Sequence, residues 1–221
     1  MSKSEIRFHP TVAALYDPVQ IYFERFQAPA HRTYLADGLE GSVLEIGVGT
    51  GAMVPYYDSE SDPAVDVYGV EPDPGMWRRA QATVAEHDVT MTVISGRGET
   101  LPFADETFDY VIESGLFCSV PSIDAVLEEI ARVLKPDGEF RFFDHVRSEG
   151  LVGRSQDALT PLWRQIGGNC HLDRTILKTL EESEFVRVES AERRQVGHWP
   201  IRTFVRGIAT PADIGTDTET N

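Results

Sequence analysis

The sequence predicts an α/β fold: a mostly parallel sheet with helices on both faces. Three observations carry this reading. Short apolar runs rich in β-branched and aromatic residues recur at positions 43–46, 65–70, 89–94, 108–112 and 140–143. Stretches of helical period separate them at positions 52–57, 75–87 and 122–134, and such strand–helix alternation belongs to a parallel sheet buried on both sides. The first apolar run also ends in a glycine-rich turn, Gly47-Val48-Gly49-Thr50-Gly51, which lets a strand pass tightly into a helix.

Ahead of the sheet, Val19, Tyr22, Phe23 and Phe26 recur at helical spacing, so residues 1–40 are expected to form a helical cover over the site. In the helix expected at 122–134, Ile123, Val126, Leu127, Ile130 and Val133 make one apolar face. Ser122 supplies an N-cap, and Ala125 in place of an acid leaves the capping box incomplete. Residues 147–170 form the largest insertion. There Leu151, Val152, Leu159, Leu162, Trp163 and Ile166 mix with glycine and polar residues, which predicts a helical lid. Two further strand-like runs, at 185–188 and 203–208, close a single domain ending near residue 210. The acidic segment 211–221 has little to bury and is expected to be disordered.

The 221 residues suit one domain, with 41% hydrophobic and 25% charged residues. No apolar run approaches the roughly 20 residues that span a bilayer, and the first ten positions lack a signal-peptide core, so a cytoplasmic protein is expected. Thirty-six acids against 20 bases give a net charge of -16, and the only lysines are Lys3, Lys135 and Lys178. Nucleic acid is a poor partner for such a surface, because phosphate binding needs a basic face. The acidity fits a high-salt cytoplasm where repulsion is screened; an acidic protein with an arginine preference is the alternative. Cys118 and Cys170 cannot make a disulfide framework, and Cys170-His171 lacks a second pair at chelating spacing, so no metal site is expected.

A carboxylate, Glu71, sits at the end of the second apolar run. A glycine turn followed by such an acid builds a nucleoside pocket: the glycines let the backbone approach the ligand, and the acid accepts from the ribose hydroxyls. Gly47, Gly49 and Ala52 equally satisfy a dinucleotide pattern, which leaves the nucleoside open. Two downstream blocks are more specific. Leu101-Pro102-Phe103 with Phe108-Asp109-Tyr110-Val111, and Arg132-Val133-Leu134-Lys135-Pro136-Asp137-Gly138, resemble the class I S-adenosylmethionine-dependent methyltransferases. Phe117-Cys118-Ser119-Val120, Phe143-Asp144-His145-Val146, Pro161-Leu162-Trp163 and Asn169-Cys170-His171-Leu172-Asp173-Arg174-Thr175 are similar to the methyltransferase-like 7 subgroup, which contains alkyl thiol methyltransferases.

The resemblance implies a Rossmann-like, seven-stranded sheet with a reversed hairpin at one edge, and S-adenosylmethionine as cofactor. It implies that Glu71 holds the ribose, that Gly47, Gly49 and Gly51 meet the methionine end, and that Glu45 orders this turn and the ligand's ammonium group. It also places Tyr16, Pro72, Met76, Gly98, Glu99 and Ser114 around the cofactor. Where the family has an aspartate for the adenine amino group, this chain reads Gly96-Arg97-Gly98-Glu99; arginine cannot accept that bond, so Glu99 or the Gly98 backbone is the candidate. Animal members of the subgroup carry an N-terminal membrane anchor, and positions 1–10 give no expectation of one here.

The expected partner is a small, fairly apolar acceptor. If it is a thiol it must lose its proton, and His145, expected at the carboxyl end of the fifth strand, is the candidate base; its alternative is a hydrogen bond to the lid. His171 and Arg174 are candidates for holding the lid closed. A quinone or lipid-headgroup acceptor competes with the thiol, and a non-catalytic cofactor-binding protein or a nicotinamide-dependent oxidoreductase competes from other classes.

Overall fold

The computed structural model describes residues 28–57 and 65–212. The helical pattern at Val19, Tyr22, Phe23 and Phe26, the candidate Tyr16, and the tail beyond residue 212 lie outside the described residues. In chain order the elements are α1 (Ala28–Ala36), β1 (Ser42–Ile46), α2 (Val54–Tyr57), β2 (Asp66–Glu71), α3 (Pro74–Ala85), β3 (Met91–Ser95), β4 (Phe108–Ser114), α4 (Ile123–Val133), β5 (Leu134–Val146), α5 (Gly150–Ile166), α6 (Ile176–Glu181), β6 (Val186–His198) and β7 (Ile201–Pro211).

The seven strands form one sheet in the order β3-β2-β1-β4-β5-β7-β6. The first five are parallel, and β7 runs antiparallel to both neighbours, β5 and β6. The order reverses between β1 and β4, which opens a crevice at their carboxyl ends, where such sheets bind ligands. Alternate residues face opposite layers. Leu44, Ile46, Val70, Val111, Phe140 and Phe142 pack with the helix face Val126, Leu127, Ile130 and Val133. Val43, Val67, Ile112 and Phe143 pack with Leu35 of α1 and Met53 and Tyr57 at α2. Each fully buried aliphatic residue on the α4 face contributes roughly 1.5–3 kcal/mol of transfer free energy. Ser122 caps α4 as expected, its Oγ accepting from Ala125 N at 3.2 Å.

The two blocks that resemble the methyltransferases are mainly architectural. Asp109 accepts from Ser42 N at 2.9 Å, Ser42 Oγ at 2.8 Å and Lys135 Nζ at 2.7 Å, so it ties the starts of β1, β4 and β5 together. Arg132 donates to the carbonyls of Phe103 (2.8 Å) and Leu101 (3.1 Å) and pairs with Glu129 and Asp105.

Three expectations need correction. β6 runs on from 188 to His198, although 189–195 is polar. As the edge strand it needs only the ladder to β7, and its side chains are exposed and paired as charges, with Arg194–Glu192 at 2.7 Å and Arg206–Glu192 at 3.0 Å. Pro211 belongs to β7 and not to the tail. The insertion is helical, but the apolar residues Leu151 and Leu162 are 79% and 59% exposed. α5 is seated by Leu159 and Trp163 and by buried Gln156, whose Oε1 accepts from Ser148 N and whose Nε2 donates to Pro200 O, both at 2.7 Å. No helix among the described residues is long and apolar enough to cross a membrane.

Candidate active site

Along the β1–β2 side of the crevice, the glycine turn is held in the left-handed region, with φ of 77° at Gly47, 61° at Gly49 and 89° at Gly51. A Cβ at Gly47 would lie 2.8 Å from Leu116 Cδ1, so a side chain there would also displace the Leu116 tip. Gly47 N and Val48 N donate to Val70 O at 2.8 and 3.2 Å, which fixes the turn to the end of β2. Glu71, 5% exposed, bridges the same turn: Oε2 accepts from Gly49 N at 2.9 Å and Oε1 from Asp73 N at 2.8 Å. Each carboxylate oxygen still has acceptor capacity for a ribose hydroxyl. Burial pushes the Glu71 carboxyl up to about 7, against the two backbone donors.

Glu45 lies deeper. Its Oε2 accepts from Tyr57 Oη at 3.0 Å, and burial pushes the carboxyl up to about 8 in spite of that bond and the Arg32 charge. Tyr57 and Arg32, brought by α2 and α1, were not singled out from the sequence; neither carries a motif. Pro72 and Met76 flank the start of α3 and are half-buried. There Asp73 caps the helix, accepting from Gly75 N at 2.7 Å and Met76 N at 3.0 Å. Gly98 sits against β1, where a Cβ would meet Ile46 Cγ2 at 3.0 Å. Glu99 Oε1 is buried without a hydrogen-bond partner, while Arg97, in the family's aspartate position, is exposed. A buried acceptor without a partner suits an amino donor such as that of adenine, and the glycine turn with Glu71 suits the rest of S-adenosylmethionine.

On the β4–β5 side, Ser114 ends β4 and leads through Gly115 (φ 81°) to Leu116, which covers Gly47. Glu113 is fully buried; it accepts from Leu116 N at 3.0 Å and Phe143 N at 3.1 Å. Asp144, also fully buried, accepts from Cys118 N at 3.0 Å. Burial holds both carboxyls above their usual range, and for Glu113 the Asp144 charge adds to the effect.

His145 leaves β5 on the opposite side from Asp144, as strand geometry requires, and its Nε2 lies 3.1 Å from Cys170 Sγ. Cys118, His145 and Cys170 are all buried, and their ligand atoms lie within 4.8 Å of one another. A hydrogen bond to Cys170 and burial raise the Cys118 thiol well above its ordinary value. Leu159, Trp163 and Leu172 cover the group. Adjacent His171 does not join it; its Nδ1 lies 3.7 Å from Asp173. The segment after α5 clamps the Cys118 loop: His171 N donates to Cys118 O at 2.7 Å, Asn169 Nδ2 to Ser119 O at 2.8 Å, and the Arg174 guanidinium to the carbonyls of Phe117 and Val120.

A family model described as a methyltransferase domain matches residues 44–142. The chain is 36% identical to the thiol S-methyltransferase TMT1B of Rattus norvegicus over 178 residues, 77% of this chain and 70% of that protein. It is 30% identical to the phosphatidylethanolamine N-methyltransferase of Cereibacter sphaeroides, over 81% of this chain and 86% of that one. A SAM-dependent methyltransferase structure from Methanosarcina mazei superposes with a TM-score of 0.65 at 17% identity, covering 83% of this chain and 97% of that chain. With this fold, this site and these relatives, the chain belongs to the SAM-dependent methyltransferase family that includes the thiol S-methyltransferases.

Proposed function

We propose that this enzyme methylates a small, fairly apolar thiol. The observation that carries the reading is the apolar-roofed group of Cys118, His145 and Cys170, joined through Leu116 to the glycine turn. S-adenosylmethionine, when bound, supplies an electrophilic methyl group on a sulfonium centre. Glu71 holds the ribose, Gly47, Gly49 and Gly51 admit the methionine end, Glu45 with Tyr57 orders the turn, and Glu99 accepts from adenine. The acceptor must lie in line about 3 Å from the methyl carbon with water excluded, and α5 with Trp163 and Leu172 supplies the cover. A free thiol is mostly protonated at neutral pH, and His145 is the side chain at this rim that favours the thiolate.

A phospholipid amine is the second reading, supported by the similarity to the phosphatidylethanolamine enzyme and by exposed Leu151, Leu162 and Trp199, which suit an apolar surface. S-adenosylhomocysteine release measured across alkyl thiols, phenols, quinols and phospholipid amines separates the two. Turnover of thiols is expected. A phenol, quinol or amine turned over while every thiol stays inert overturns the thiol reading.

A further inference from the structure

We propose that Cys118, His145 and Cys170 bind a zinc ion whose open fourth position takes the acceptor thiol. The metal does not depend on the thiol reading; the identity of the fourth ligand does. Three chain segments deliver the ligands: the loop after β4, the end of β5, and the turn after α5. Their positions are set by bonds that do not involve the ligand atoms. Asp144 holds Cys118 N, His171 N holds Cys118 O, and Asn169 and Arg174 hold the flanking carbonyls. Such outside support is what a preorganised metal site requires.

The separations fit as well. Zinc bonds of about 2.3 Å to sulfur and about 2.0 Å to nitrogen place tetrahedral ligand atoms roughly 3.5 Å apart or slightly more. The three atoms here lie within 4.8 Å of one another, with His145 Nε2 3.1 Å from Cys170 Sγ. Two cysteines and one histidine are a soft set that favours zinc, and three protein ligands leave a coordination position open, as catalytic zinc requires.

The loop that carries Cys118 also carries Leu116, which lies against Gly47 of the glycine turn, and the proposal sets the acceptor sulfur on the side of that contact. A thiol entering it forms a zinc–sulfur bond and releases its proton to water, keeping the electron pair on sulfur. That pair then forms the bond to the methyl carbon as the methyl–sulfonium bond breaks. The neutral thioether is a weak ligand and leaves.

The full chain, purified after growth with added zinc, is expected to carry about one zinc per chain, and Cys118→Ser or Cys170→Ser to lower that content at least about tenfold. S-adenosylhomocysteine binding, which uses the other rim, shows whether each variant is folded. Should both variants fail to fold, cobalt loaded into the wild type replaces them: thiolate-to-cobalt absorption is expected, and 2-mercaptoethanol is expected to shift the cobalt bands. Wild-type protein that holds neither metal, with its two thiols free or joined as a disulfide, overturns the site whatever acceptor is methylated. Bound cobalt whose spectrum ignores thiols, with phenols turned over instead, retains the metal and overturns the fourth ligand together with the thiol reading.

Discussion

The proposed cofactor rim comes from one stretch of chain: β1, the glycine turn, α2 and the end of β2 supply Glu45, Gly47, Gly49, Gly51, Tyr57 and Glu71. The proposed acceptor rim gathers Cys118, His145 and Cys170 from three places separated by α4 and α5. The first is fixed by bonds between the adjacent ends of β1 and β2, Gly49 N to Glu71 Oε2 and Gly47 N to Val70 O. The second is fixed by long-range clamps, in which Arg174 and Asn169 reach back to the Cys118 loop. A pocket for an invariant cofactor can be written in neighbouring residues, whereas a pocket for a variable acceptor depends on how a lid is seated.

If the two rims are separable, their variants separate as well. His145→Ala carries the largest expected effect: turnover near neutral pH falls about 10²-fold or more, while S-adenosylmethionine affinity stays at the wild-type value. The deficit shrinks at high pH, where solvent deprotonates a thiol acceptor. Rates from pH 6 to 9 beside a binding titration check this, and a matching loss of cofactor affinity would merge the rims.

Glu71→Ala is expected to do the reverse, weakening S-adenosylmethionine binding by roughly 1.5–3 kcal/mol, with Glu71→Gln weaker in effect because the amide keeps an acceptor oxygen. Calorimetry on folded variants measures both; wild-type affinity in Glu71→Ala removes the ribose role.

The pH dependence sharpens the cofactor side alone. A ribose acceptor works best ionised, and burial pushes the Glu71 carboxyl up to about 7, so affinity is expected to rise roughly tenfold from pH 6 to 8 and to flatten in Glu71→Gln. Stability runs the other way. Both Glu71 and Glu45 sit above the usual 4.5, at about 7 and about 8, so protonation favours the folded state. Their stabilising contribution is complete below about 4.5 and is lost as pH rises through 7 to 8. Chemical denaturation of the ligand-free protein at pH 5 and 8 tests the sign.

Salt has the smallest expected effect and touches both rims equally. With a net charge of -16, the melting temperature is expected to climb from low to molar potassium chloride. A flat or falling profile favours the arginine-rich alternative over salt adaptation.

The sequence by itself determined the alternation of strands and helices, the glycine turn and Glu71. These signals are local: period, φ above zero, and an acid at a strand end. Asp109 and Arg132 were legible as a family pattern, yet only the fold showed that they fasten strand starts and loops. β6 was half read, because a polar edge strand owes its existence to β7 and not to its own pattern. The cysteines were the plainest gap. Linear spacing set Cys170 beside His171 and pointed away from a metal, while sheet register and the clamp after α5 set it against His145 and Cys118. Which side chains meet across such distances is decided by packing and long-range hydrogen bonds, and no local pattern in the chain encodes that meeting.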